Sequence, residues 1–152
     1  MNVVVNILVF LFAAVAMEGV AWALHKYVMH GFLWVLHEDH HRSSPRRLQK
    51  NDLFALFFAG LSFGFIYSGL SFDIQPLTAA GFGVTLYGFC YFVFHDFMYH
   101  RRIKALVFKP RSTYFKNIIN AHRVHHRVTT KENSLSFGFL YAPKKYSSMR
   151  VR

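Results

Sequence analysis

Ten histidines in this chain of 152 residues fall into four clusters with only two spacings. His25 and His30 form H-x4-H, and His95 and His100 repeat it. His37, His40 and His41 form H-x2-H-H, and His122, His125 and His126 repeat that. Each half of the chain therefore carries the same five-histidine pattern. On an α-helix, residues three and four apart lie on one face, so His37 shares a face with His40 and His41, as His122 does with His125 and His126. Leu33 and Leu36 lead into the first stripe, and Phe115, Ile118 and Ile119 into the second. The imidazoles point where apolar side chains point, which is inward. On residues 112–127 the opposite face carries Lys116, Asn117, Asn120, Arg123 and Arg127. The H-x4-H pairs fit less simply, because five residues turn an ideal helix by about 500° and leave the two side chains about 140° apart. Both can serve one site only where the helix ends or bends, and Gly31 beside His30 is a natural C-terminal breaker.

Ten inward imidazoles repel one another when protonated and are costly to bury neutral and unpaired. Metal ions resolve the conflict, since neutral imidazole is a common ligand for zinc, iron and copper. One ion rarely takes more than about six ligands, so ten histidines predict two metals and a dimetal centre as the catalytic group. Structural zinc sites are usually rich in cysteine, and this chain offers only Cys90, within an apolar run. Nitrogen-rich surroundings suit iron and oxygen chemistry, although spacing alone leaves zinc and copper open. Glu38, Asp39 and Asp96 adjoin histidines and are candidates for orienting the rings; solvated loop carboxylates are the alternative.

The elements that must position these residues are apolar. From Asn2 to Leu24 there is no Lys or Arg, and Glu18 is the only charge. At about 1.5 Å per residue this stretch covers a bilayer core of about 30 Å. It lacks the basic start and small-residue cleavage site of a signal peptide, so a retained span is expected. Further apolar runs cover residues 53–72 and 76–94, with only Asp73, Ile74 and Gln75 between them. The predicted fold is an all-α integral membrane protein of one domain, 1–152. It has spans at about 2–24, 53–72 and 76–94 and a histidine-rich helical cap from 25–52 and 95–152. Asn51 and Asp52 are expected to cap the second span. Glu18 lies seven residues before His25, about 10 Å deeper along the helix. An intramembrane acid is a functional suspect, with pairing to a neighbouring span as the equal alternative. Phe57, Phe58, Phe63, Phe65, Tyr87, Tyr91 and Phe92 are available to line a channel, lipid contact being the commoner role for most.

The net charge of +11, from 18 Lys and Arg against seven acids, invites a nucleic-acid reading. Its distribution argues otherwise. Five basic residues lie between 25 and 52, thirteen follow His95, and none lies in the N-terminal run or the 73–75 turn. All eighteen fall on one side of a three-span chain. The positive-inside rule makes that side cytoplasmic and places the N-terminus and the turn outside, as in a bacterial inner membrane. No nucleic-acid partner is expected. The basic face can also steer an acidic protein.

The four clusters resemble the histidine signature of the membrane fatty-acid hydroxylase and sterol desaturase superfamily. Within it, "HKYVMHGFLWVLHEDHH", "FHDFMYHRR", "AHRVHHR" and "SFGFLYAPKKY" are similar to the bacterial carotenoid β-ring hydroxylases over residues 18–146. The resemblance implies an O2-dependent monooxygenase with two non-haem irons, for which zinc or another metal can substitute in purified protein. It implies hydroxylation of C3 of each β-ionone ring, taking β-carotene from the bilayer through β-cryptoxanthin to zeaxanthin, with related ring carotenoids such as canthaxanthin as further substrates. It also implies electrons from NAD(P)H through a ferredoxin-type donor, and metal binding by the ten histidines. The family is often drawn with four spans, where this chain offers three, and its segment around Glu132 is less acidic than the resemblance leads one to expect. The rival readings are a sterol or fatty-acyl hydroxylase of the same superfamily and a membrane metal carrier. Against the carrier, no histidine lies mid-membrane and Glu18 is the only acid inside a span.

Overall fold

The computed structural model of the chain describes residues 2–42, 48–103 and 110–149. Of the basic residues counted above, Arg46, Arg47, Lys104, Lys109, Arg150 and Arg152 lie outside them. Five α-helices follow in order: α1 (Val3–Ala23), α2 (Trp34–His41), α3 (Asp52–Ser71), α4 (Gln75–Tyr91) and α5 (Thr113–His126). There is no strand among the described residues. Three helices are long and apolar enough to cross a membrane, Val3–Phe32, Asp52–Ser71 and Gln75–Tyr99. The first and third outrun the expected spans because α1 and α4 do not stop at their histidines. Each continues as a wider π-helical segment, Leu24–Phe32 after α1 and Phe92–Tyr99 after α4.

Local chemistry sets the ends. Asn2 Oδ1 accepts the Val4 N–H at 3.0 Å at the start of α1, and Ser112 Oγ does the same for Phe115 at 3.2 Å at the start of α5. Between α3 and α4 the turn closes with Asp73 in the left-handed region (φ 52°) and the Ile74 N–H donating to Gly69 O at 2.8 Å. That is a six-to-one closure of a helix C-terminus, with Asp where glycine is commoner. Pro76 follows in the first turn of α4, where its missing N–H costs nothing.

Helix α4 is the centre of the membrane part. It runs parallel to α1: Asn6 Nδ2 donates to Gln75 Oε1 at 3.1 Å near one end, and the Tyr87 hydroxyl donates to Glu18 Oε2 at 2.8 Å towards the other. Midway, a Cβ on Gly83 would lie 2.5 Å from Phe10 O, so only glycine allows this approach. Against α3, which runs antiparallel, Ser62 Oγ and Thr85 Oγ1 both donate to Gly81 O. The outward faces, with Phe12, Phe63 and Leu70, stay exposed, as lipid-facing surfaces require. This topology puts the start of α1 and the 72–74 turn at one end and every histidine at the other.

The cap has its own core. Ile118, Ile119 and Ala121 of α5 pack with Met98, Ala142 and Tyr146. Here the expected polar face of α5 is partly wrong. Asn117 and Asn120 are buried, because the chain after the last histidines folds back over them. Asn117 Nδ2 donates to Ala142 O at 2.6 Å, and Asn120 Nδ2 to Tyr146 O and Met149 O at 3.0 and 2.9 Å.

Candidate metal centre

The π-helical segments answer the problem of the H-x4-H pairs. In such a segment each N–H reaches the carbonyl five residues back, so residues five apart stack on one face. The His100 N–H donates to His95 O at 2.9 Å, and the Leu33 N–H to Val28 O at 3.0 Å. The helix widens where an end or bend was expected, and both histidines of each pair face one site. The break falls one residue after His30, at Gly31 (φ −106°, ψ −122°), and turns the chain into α2.

All ten histidines are buried or half-buried, and they form two groups of five. The first is His25, His30, His37, His41 and His125; the second is His40, His95, His100, His122 and His126. In each group one nitrogen per ring lies within 4.8 Å of all the others. The groups do not coincide with the two halves of the sequence. His37 and His41, four apart, share a group, while His40 faces the other, and His122 and His126 are likewise separated from His125. Neighbours on an α-helix diverge by about 100°, so each H-x2-H-H motif serves both groups.

The ring nitrogens are sorted by their hydrogen bonds. In the first group the Nδ1–H of His25, His30, His41 and His125 donates to the carbonyls of Phe137, Lys131, Val128 and Leu135, at 2.8–3.1 Å. His37 Nδ1–H donates to Asn51 Oδ1 at 2.6 Å. In the second, His40 Nδ1–H donates to Gln49 Oε1 at 2.9 Å and His95 Nδ1–H to Asp96 Oδ1 at 3.2 Å. A carbonyl only accepts, so the proton of the neutral ring sits on Nδ1 and Nε2 presents a bare lone pair. These bare nitrogens face one another, with His25 to His37 at 3.1 Å, His30 to His125 at 3.2 Å and His40 to His95 at 2.9 Å. Lone pairs at that separation repel unless a cation lies among them, and the nitrogen donor set fits zinc, iron or copper. Burial, reinforced by the neighbouring rings, holds His37, His100, His122, His125 and His126 well below the usual imidazole range, and pushes His41 down to about 4. At neutral pH these rings are the uncharged, ligating form.

The acids adjoining the histidines are placed differently from one another. Asp96 accepts from His95 and is itself held by Arg102 Nε at 3.1 Å. Glu38 pairs with Arg42 one turn on, and Asp39 accepts the Lys50 N–H at 2.7 Å; neither touches a ring. Asp52 pairs with Arg102 at 2.8 Å, and Glu132 is exposed. Asn51 does not cap α3 with its side chain but orients His37. Glu18 receives the Tyr87 hydroxyl and the N–H groups of residues 139–141. Sequence patterns gave no role to Gln49 or Arg102, and Trp34, Phe137 and Phe139 stood out only as part of the motifs that carry the family resemblance. Arg102 NH2 donates to Gln49 Oε1 at 3.0 Å, which links it to the acceptors of both His40 and His95. Trp34 packs on His30 and His41, and Phe139 stacks on His25 with centroids 4.9 Å apart. An apolar crevice between Phe94, Tyr99, Ile118, Ile119 and Phe139 reaches His95 and His122.

The model of the family described as "Fatty acid hydroxylase" matches residues 10–142. The chain belongs to that family. It is 44% identical over 150 residues to the beta-carotene hydroxylase of Pantoea ananas, covering 97% of this chain and 85% of that one. It is 42% identical over 140 residues to that of Pseudescherichia vulneris, covering 92% and 78%. Beta-carotene 3-hydroxylase 1 of Arabidopsis thaliana, a chloroplastic protein, is 35% identical over 141 residues, 88% of this chain and 43% of the plant protein. No solved structure matches. Membership in a membrane hydroxylase family with a lipid-soluble reactant accounts for a histidine site at the end of apolar helices.

Proposed function

We propose that the chain hydroxylates C3 of the β-ionone rings of β-carotene, giving β-cryptoxanthin and then zeaxanthin. Its two histidine groups each hold one iron ion. The observation that carries the reading is the pair of five-nitrogen groups at the end of apolar helices, in a chain 42–44% identical to bacterial beta-carotene hydroxylases. A ring carbon of a hydrocarbon offers no acidic proton or electrophile, so the bound metals would supply the oxidising power, with O2, two electrons and two protons converting R–H to R–OH and water. The chain's own residues do the rest. Carbonyls 128, 131, 135 and 137, with Asn51, Gln49 and Asp96, keep seven of the ten Nε2 atoms deprotonated and aimed. The apolar crevice beside His95 and His122 has a volume of only about 10 Å³, so the side chains of Phe94, Ile118, Ile119 and Phe139 must part to let a ring end approach. Electrons come from NAD(P)H through a ferredoxin-type donor, which the basic cap attracts. The histidines lie on the cytoplasmic side of a bacterial inner membrane. Chain 1–152 works as one domain.

The test is chromatography of pigments from bacteria that make β-carotene, with and without this chain. Zeaxanthin and β-cryptoxanthin should appear only with the wild-type chain. Unchanged β-carotene, with the protein in the membrane and a competent donor present, would overturn the substrate and favour a sterol or fatty-acyl hydroxylase.

A further inference from the structure

Four of the five rings in the first histidine group depend on one stretch of backbone. His41, His30, His125 and His25 donate to the carbonyls of Val128, Lys131, Leu135 and Phe137 in that order along the chain. Among the described residues this stretch has no strand and no regular helix between His126 and Lys144. Something outside it must fix where those carbonyls stand. Immediately beyond Phe137 the chain meets Glu18. The carboxylate Oε1 accepts the N–H groups of Phe139, Leu140 and Tyr141 at 2.9, 3.1 and 3.0 Å, and Oε2 accepts Leu140 N–H at 3.1 Å and the Tyr87 hydroxyl at 2.8 Å. Gly138 makes the approach feasible, since a Cβ there would lie 2.9 Å from Glu18 Oε1 and 2.7 Å from Tyr141 O.

Glu18 and His25 sit on the same continuous helix seven residues apart. One rigid element therefore presents both a ligand and the clamp that positions that ligand's acceptor. The clamp also seats Phe139, whose ring stacks on His25. The second group draws on side chains instead, with His40 on Gln49 and His95 on Asp96, both tied to Arg102. Among the described residues no hydrogen bond joins Glu18 to those two acceptors; the clamp meets the second group only through the Phe139 ring, edge-on to His95 and tilted to His122.

We infer that Glu18 is a positioning residue for the carbonyl acceptors of the first histidine group: it locks the 137–141 backbone so that this group keeps its ring orientation and its metal. The inference rests on the dimetal reading above. A carboxylate is required because four donors make five contacts with its two oxygens; a glutamine of the same size turns a donor towards donors.

The test is the iron and zinc content of purified chain by elemental analysis, for the wild type, Glu18→Gln and Gly138→Ala. Gln keeps the volume of Glu, so a residue that only fills space would be unaffected. The wild type should hold two ions per chain and each variant about one, a twofold drop. Two ions in both variants, or equal loss from both groups to near zero, overturns the inference while leaving the dimetal reading in place. A wild type without two ions overturns that reading and the inference with it. Where Glu18→Gln does not accumulate in the membrane, Gly138→Ala decides, because it leaves the carboxylate present and displaces the clamped 138–141 backbone, against both Glu18 Oε1 and Tyr141 O.

Discussion

An imidazole in these groups is useful only while its Nδ1–H is occupied, because that bond fixes both the tautomer and the ring plane. Asn51 is the cleanest place to test this. Its side chain is buried, its Oδ1 takes the His37 proton at 2.6 Å, and it is not itself a nitrogen ligand. Asn51→Leu keeps the bulk but strands a buried N–H, at a cost of about 1–3 kcal/mol. Loss of such an acceptor typically weakens metal affinity by about 10–100-fold. Competition against a graded chelator should therefore release an ion from Asn51→Leu at least tenfold more readily than from the wild type, with Asn51→Asp close to the wild type. His40→Ala and His125→Ala should each abolish turnover while the protein stays in the membrane, because each removes the one ring its half contributes to the opposite group. Full activity in either variant would show that the crossed grouping is not the working one. The ten histidines were legible from type and spacing. Their acceptors mostly were not, because four are backbone carbonyls, which leave no mark on a sequence.

At the scale of elements, the sequence pointed to helices and inward imidazoles but not to how His25 and His30 meet. A helical wheel built on 3.6 residues per turn separates them, and only a change of pitch brings them into line. Asn117 and Asn120 misled for a related reason: their polarity reads as solvent exposure, yet carbonyls from 142–149 cover them. The spans themselves were plain from hydropathy, and what hydropathy could not show was which pairs pack. Gly83 identifies one such contact. Its backbone lies against Phe10 and Ala13 with no room for a side chain, and Tyr87, which donates to Glu18, follows about one turn on. Gly83→Leu must push α1 and α4 apart. Overpacking of this kind costs about 1–3 kcal/mol. The variant should show a clearly lower thermal midpoint in detergent and a loss of metal together. A variant as stable and metal-loaded as the wild type would mean that α1 and α4 do not need this approach.

Across the whole molecule, the arrangement of α1, α3 and α4 decides where chemistry can happen. The parallel pair α1 and α4 carries His25 and His30, and His95 and His100, to the same end, and the antiparallel α3 starts there beside Gln49 and Asn51 and takes the chain back to the 72–74 turn. The described basic residues share that end, while the 72–74 turn at the other carries only Asp73. In the proposed orientation, which the positive-inside rule supports, the histidine end would face the cytoplasm, where a reduced electron donor would be available. A phosphatase reporter that is active only after export should work when fused after Asp73 and stay silent when fused after Arg111. Placing three Lys in the 72–74 turn should weaken that contrast, since they compete with the cap for the inner side. The reverse pattern would put all ten histidines outside, beyond the reach of a cytoplasmic reductant. The hydroxylation reading would then need an external source of electrons, and the basic cap would lose its role as a surface for the donor.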